Sequence, residues 1–132
     1  MKKVIFSLIA IAAFNGISTN ASAEWTVIEK SNVITSYIDK SSIHKEENVV
    51  VVSTLDDLTM PNKFREGFYH STTWLEAYDC VKKKHRVISS AFYTERMGKG
   101  EVLASFGPTQ NWEEIRPGSA SEILLKIACN KN

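Results

Sequence analysis

Hydrophobic and polar positions alternate along most of the chain after residue 24, and the period changes only near its end. Trp25 and Val27 fall on one side of a first segment, Thr26 and Ile28 on the other. A period of two marks a strand with one buried face. A second segment, Val33 to Asp39, follows the polar turn Lys30-Ser31-Asn32. The third carries four consecutive valines, Val49 to Val52, then Leu55 and Leu58. β-Branched residues at that density favour strand over helix. Lys40 to Asn48 reads as a polar connection between the second and third segments, and Pro61 to Phe64 breaks the pattern again. Thr72, Trp74, Glu76 and Tyr78 then alternate with Thr73, Leu75, Ala77 and Asp79. A run from Arg86 to Met97, the turn Gly98-Lys99-Gly100 and the segment Glu101 to Phe106 complete the series. About six strands joined by short polar turns predict an antiparallel meander.

From Ser119 the spacing becomes helical. Ala120, Ile123, Leu124, Ile127 and Ala128 share one face at intervals of three and four. Pro117-Gly118 stops the preceding chain, and Ser119 with Glu122 has the spacing of a capping box, in which each side chain satisfies an unpaired backbone N–H. The fold class expected is α+β: an antiparallel sheet with a C-terminal helix packed on it.

The first residues change the frame. Lys2 and Lys3 precede the uncharged, mostly apolar run Val4 to Phe14, and Ala21-Ser22-Ala23 is a small-x-small cleavage pattern. Together they predict a signal peptide over residues 1–23 and a single domain over 24–132. The apolar run is shorter than the roughly 20 residues a membrane span needs, so no stable insertion is expected after cleavage. No cysteine lies in the leader, so no lipid anchor is expected. The chain should be exported, to the periplasm or beyond. Without Lys2 and Lys3 the net charge falls to about −1. That balance gives no field for nucleic acid or an anionic membrane.

Export puts the two cysteines, Cys80 and Cys129, in an oxidising compartment. Only one internal pairing is open to them; the alternatives are free thiols or a linked dimer. A bridge from the last helical turn to the end of a central strand would fasten the helix to the sheet. A loop of that length stabilises by about 4 kcal/mol in the chain-entropy model.

Catalysis finds little support. His44, His70 and His85 lie in three separate segments, with no second ligand at helical spacing and no Cys-x-x-Cys. His70 adjoins Ser71, but neighbours in a strand point to opposite faces and cannot form a nucleophile and base pair. Asp56-Asp57 and Glu113-Glu114 read as solvated turn or edge residues. No enzyme, metal site or cofactor is expected. The remaining local feature is the basic run Lys82, Lys83, Lys84, His85 and Arg86, placed as a hairpin tip after Cys80. A dense positive tip suits an acidic glycan or an acidic patch on a protein; otherwise it is a solvated turn that blunts edge pairing. The other candidate surface is an open sheet face around Trp74, Tyr78 or Phe92.

Several of these residues also fall into a known order: Trp25, "YIDKSSI" (Tyr37 to Ile43), "VVVVSTLDD", "DCVKKKHR" with Cys80 and Arg86, Tyr93, "NWEEIRPGS" (Asn111 to Ser119) and Cys129. In this order they resemble the surface-adhesin protein E-like family of Gram-negative bacteria, across essentially the whole chain after the leader. The resemblance implies an antiparallel sheet with a disulfide-linked C-terminal helix, a homodimer, and binding of host matrix or serum proteins such as laminin and vitronectin. The alternative is a periplasmic inhibitor or protective protein that binds another protein or a small ligand.

Overall fold

The computed structural model describes residues 23–109 and 111–130. The leader, apart from Ala23, lies outside them. Seven strands form one sheet: β1 (Trp25–Lys30), β2 (Ile34–Glu46), β3 (Val49–Phe64), β4 (Gly67–Asp79), β5 (Lys84–Tyr93), β6 (Val102–Phe106) and the two-residue β7 (Glu113–Glu114). The first six pair antiparallel in chain order, as the meander requires. β6 covers one end of β5, from Ser90 to Tyr93, and β7 covers the other, at Lys84 and His85. One helix, α1 (Ala120–Asn130), closes the fold.

Two stretches expected to interrupt strands instead extend them. β2 continues through Lys40 to Glu46, with its register against β3 slipping between Asp39 and His44. Side chains fill the gap in the ladder. Ser41 donates its N–H and its hydroxyl to Asp39 Oδ1. Ser42 Oγ donates to the Asp39 carbonyl at 2.6 Å and accepts the Ser53 N–H at 2.9 Å. These local bonds replace the missing backbone pairs, so a polar segment stays extended. β3 likewise runs through Pro61, because its register against β4 shifts between Asp57 and Asn62. Proline is tolerated at such an irregularity, where no ladder donor is needed.

α1 packs on one face of the sheet. Leu124, Leu125 and Ala128 bury against Ile38, Val50, Val52 and Tyr78, with Ile28, Ile43 and Ile127 at the margin. Ile28 lies on this face with Thr26, two residues earlier, which pairs with Ile38; the bulge of β1 between Val27 and Glu29 comes after Val27. Fully burying one such leucine contributes about 1.5–3 kcal/mol. Half of the expected capping box is present. Ser119 Oγ accepts the Glu122 N–H at 3.3 Å, but the Glu122 carboxylate takes the N–H of Gly118, since that of Ser119 is bonded to the Arg116 carbonyl. At the other end of α1, Cys129 is disulfide-bonded to Cys80, with a Cα–Cα separation of 5.7 Å. The helix is fastened to the sheet as the two cysteines suggest.

A polar pair lies beneath the helix. Tyr78, 0 % exposed, donates its hydroxyl to Glu76 Oε2 at 2.6 Å. Burial pushes the Glu76 carboxyl above its ordinary range, against the opposing pulls of the Tyr78 hydroxyl and of His85. Burial and the Glu76 charge also hold the Tyr78 hydroxyl firmly protonated.

Candidate binding surfaces

The basic run divides between a turn and a strand. Asp79 Oδ1 accepts the N–H groups of Val81 and Lys82, and its carbonyl accepts that of Lys83, which sits at φ 55. Lys82 and Lys83 project from this tight turn and are exposed. Lys84, His85 and Arg86 already belong to β5. Lys84 Nζ lies 3.6 Å from Glu114 of β7. His85 packs its ring parallel to Tyr78, and the Arg86 guanidinium stands 5.7 Å from the centre of the Trp112 ring. The alternation of β5 thus turns His85 away from its two neighbours. The uncommitted positive charge concentrates on Lys82 and Lys83.

The sheet face away from α1 is built of different material. The strand register aligns Trp25, Asp39, Ser53, Leu75 and Ser89 in one row across five strands. The neighbouring row contains Leu55, Thr73, Ala91 and Ser105. Small hydroxyl and methyl side chains leave space above the sheet that larger ones would fill. The result is a trough of about 730 Å³ lined from β1 to β6, with Trp25 at one edge and Tyr93 at the other. Phe106, at its margin, shares a row with Ser90, Trp74, Thr54 and Ile38 and packs its ring on Phe64 and Phe92. Among the described residues, Asp39, 7 % exposed, is the one charged residue in the lining of the trough.

One end of this face is sealed by the connection after β5, a 3-10 turn at Arg96–Gly98. Asp57, 2 % exposed, organises it. Its Oδ2 accepts Arg96 Nε and Nη2 at 2.9 and 2.6 Å, and its Oδ1 accepts the Met97 N–H at 2.7 Å. Ser71 Oγ donates to the Glu95 carbonyl and accepts the Gly98 N–H. Gly98 has φ +68, and an added Cβ would stand 3.2 Å from Leu55 Cδ1, so both backbone and space favour glycine there. Leu55 is thereby covered completely.

Ser71 is therefore a structural hydroxyl, while His70 bonds the Thr94 carbonyl through Nδ1. His44 pairs with Glu46 at the exposed end of β2, so the three histidines stay apart. Among the described residues no three His, Cys, Asp or Glu side chains are grouped to hold a metal ion, and no helix is long and apolar enough to cross a membrane. Glu113 and Glu114, read as turn or edge residues, form the edge strand β7.

The aromatic residues expected on the open face are engaged elsewhere. Tyr78 is buried beneath α1, and Trp74 donates Nε1 to Asp56 Oδ2 beside the start of the helix. Phe92 stacks on Tyr69 at 4.1 Å and meets Phe64 and Phe106 edge-on. The available signal was parity: Trp74 and Tyr78 alternate with Thr73 and Leu75, and the smaller set faces the trough.

A family profile described as surface-adhesin protein E matches residues 25–130. Crystal form II of Haemophilus influenzae protein E is similar in structure, with a TM-score of 0.64 at 17 % identity, covering 84 % of this chain and 91 % of that one. Another structure of Haemophilus influenzae protein E gives a TM-score of 0.63 at 17 % identity, covering 84 % and 87 %. Protein E from non-typeable Haemophilus influenzae gives 0.58 at 18 %, covering 84 % and 78 %. At this identity the likeness establishes the fold. No curated protein matches the chain.

Proposed function

The chain belongs to the surface-adhesin protein E family, and from that premise we propose that it is an exported, non-catalytic binding module that attaches to host matrix or serum proteins. The observation that carries this reading is the extent of the family match, from the first strand to the last turn of α1. The leader pattern over residues 1–23 supports export, and the disulfide suits an oxidising compartment. Lys82 and Lys83, held out by the Asp79 turn, supply the electrostatic part of the contact.

The test is binding of the processed protein to immobilised laminin and vitronectin across a salt series. Attraction to an exposed basic turn is screened over about 8 Å at physiological ionic strength, so binding should weaken as salt rises. Replacing Lys82, Lys83 and Lys84 together by serine should weaken binding at low salt, each exposed charge contributing about 1 kcal/mol or less. Affinity unchanged in that variant removes the turn from the reading. Failure to bind either protein, with the chain confined to the periplasm, removes the host-directed function itself.

A further inference from the structure

We propose that the cavity beneath the start of α1 is a binding site for a short aliphatic diamine. It lies on the helix side of the sheet, apart from the basic turn, and does not depend on the host-protein reading.

The cavity, about 200 Å³, is floored by the sheet and roofed by the first turns of α1, with Ser121 and Leu124 above it. Two carboxylates line it, Asp56 and Glu76, and among the described residues no lysine, arginine or histidine does. The strand register sets them apart. Asp56 lies opposite Thr72 and Glu76 opposite Val52, with the Thr54 and Trp74 pair between them. Four residues of strand separate their backbones by about 13 Å, so one carboxylate serves each end of the cavity.

Neither carboxylate is offset by a lysine or arginine. Asp56 accepts the Ser36 hydroxyl at 2.7 Å and the Trp74 Nε1 at 3.2 Å, both neutral donors. Glu76, 9 % exposed, takes the Tyr78 hydroxyl on Oε2, and among the described residues nothing donates to its Oε1. Burial pushes this carboxyl up, the Tyr78 hydroxyl and His85 oppose the shift, and the Asp56 charge adds to it. A buried carboxylate oxygen without a donor, facing a cavity, is a place for an N–H group of a ligand.

The lining then selects the ligand. An ammonium group brings three donors and no acceptor, which suits carboxylate oxygens, and two ends call for two such groups. Between them Ile28, Leu124 and Trp74 offer apolar contact to a methylene stem. The volume falls below the about 300–1,000 Å³ of a drug-sized site, which keeps the stem short. A metal ion needs oxygens converging on one point, and here the carboxylates stand apart with no third acidic or histidine ligand among the described residues. A quaternary ammonium has no N–H to donate and relies on an aromatic cage, of which Trp74 supplies a single wall.

The experiment titrates the processed protein with putrescine and cadaverine, with butylamine as the one-ended control and choline and calcium as rival cations. Calorimetry measures affinity, and the Trp74 indole N–H resonance reports the site. A diamine should bind, shift that resonance and hold about ten-fold or more tighter than butylamine, the difference a second charged hydrogen bond makes. Asp56→Asn and Glu76→Gln each remove one charge at nearly constant shape. Each should weaken the diamine about ten-fold and erase its advantage over butylamine, whereas a disturbed sheet would weaken both amines alike. Circular dichroism verifies folding, and loss of the advantage in either folded variant supports the site. Replacing the exposed Glu113 and Glu114 by glutamine should leave diamine binding unchanged. The proposal is overturned if no diamine binds, if butylamine binds as tightly, if choline or calcium binds instead, or if the diamine keeps its advantage in both folded variants.

Discussion

The two faces of the sheet use the same strands to opposite ends. Beneath α1, Ile38, Val50, Val52 and Tyr78 are fully buried, and the polar atoms admitted there, Tyr78 and Glu76, bond each other. On the other face Ser53, Thr73, Ser89 and Ala91 are only half-buried, and order comes from the Asp57 and Ser71 hydrogen bonds at one end. Stability on the first face comes from area removed from water, and on the second from a few directed bonds. The second face can therefore keep an open trough without loosening the fold. Substitutions should separate the two roles.

The largest effect should come from releasing the helix. Replacing Cys80 and Cys129 together by serine removes the link that spans 49 residues and should lower stability by about 4 kcal/mol on the chain-entropy argument. Urea unfolding measures the loss. Hydrogen exchange should quicken first at Val50, Val52 and Tyr78, while the amides of Met97 and Gly98 hold. Equal loosening of both faces would show that they are one cooperative unit.

Next comes the directed-bond face. Asp57→Ala leaves the Met97 N–H without its acceptor and frees Arg96, which is half exposed and can be solvated. A loss of about 2 kcal/mol is expected, in the range for stranding a buried hydrogen-bond partner. Rapid proteolysis near Arg96 in the variant would confirm that the turn has lifted.

Glu76 gives a smaller, pH-dependent effect. Its folded carboxyl holds a proton more tightly than the unfolded one, because burial disfavours the charge. The native state is therefore favoured while both forms are protonated, below the ordinary value of 4.5, and loses that advantage as pH rises from there through the raised folded value. Glu76→Gln stays neutral and keeps an acceptor for the Tyr78 hydroxyl. Urea midpoints of variant and parent should converge in acid and separate toward neutral pH, with the variant the more stable. Separation in the opposite direction would mean that the Tyr78 bond outweighs burial.

The smallest change belongs in the trough. Ser89→Ala should shift stability by no more than about 0.5 kcal/mol, the usual range for a substitution outside a packed core. Its melting curve should overlay that of the parent.

The meander, the helix and its staple were legible in the sequence because each rests on a local signal: alternation, turn residues, helical spacing, two cysteines. The continuous β2 and β3 were not. Their extension through Lys40 to Glu46 and past Pro61 depends on register slips and on Ser41, Ser42 and Asp39 bonding in place of backbone. The trough was hidden for a geometric reason. Alternation sorts Thr73 and Leu75 from Trp74 and Tyr78, but which set the helix covers is decided by long-range packing. The conspicuous aromatics pointed to the wrong face. The basic run misled in a milder way, since Asp79 ends the turn earlier than the charges suggest and gives Lys84, His85 and Arg86 to a strand.

The meander order also fixes the sequence in which the molecule can complete itself. Every long strand pairs with the one before it, so the sheet can grow in the direction of synthesis and export. The cover for its apolar face is the last element of the fold, residues 120–130. A chain cut short before Ser119 would present Ile38, Val50, Val52 and Tyr78 to water, an adhesive patch of the kind that leads to aggregation or to a protease. Closure and the covalent lock arrive together, at Leu124 to Cys129. Residues 120–130 thus act as a seal: until they are in place, the apolar face of the sheet stays uncovered and unlocked.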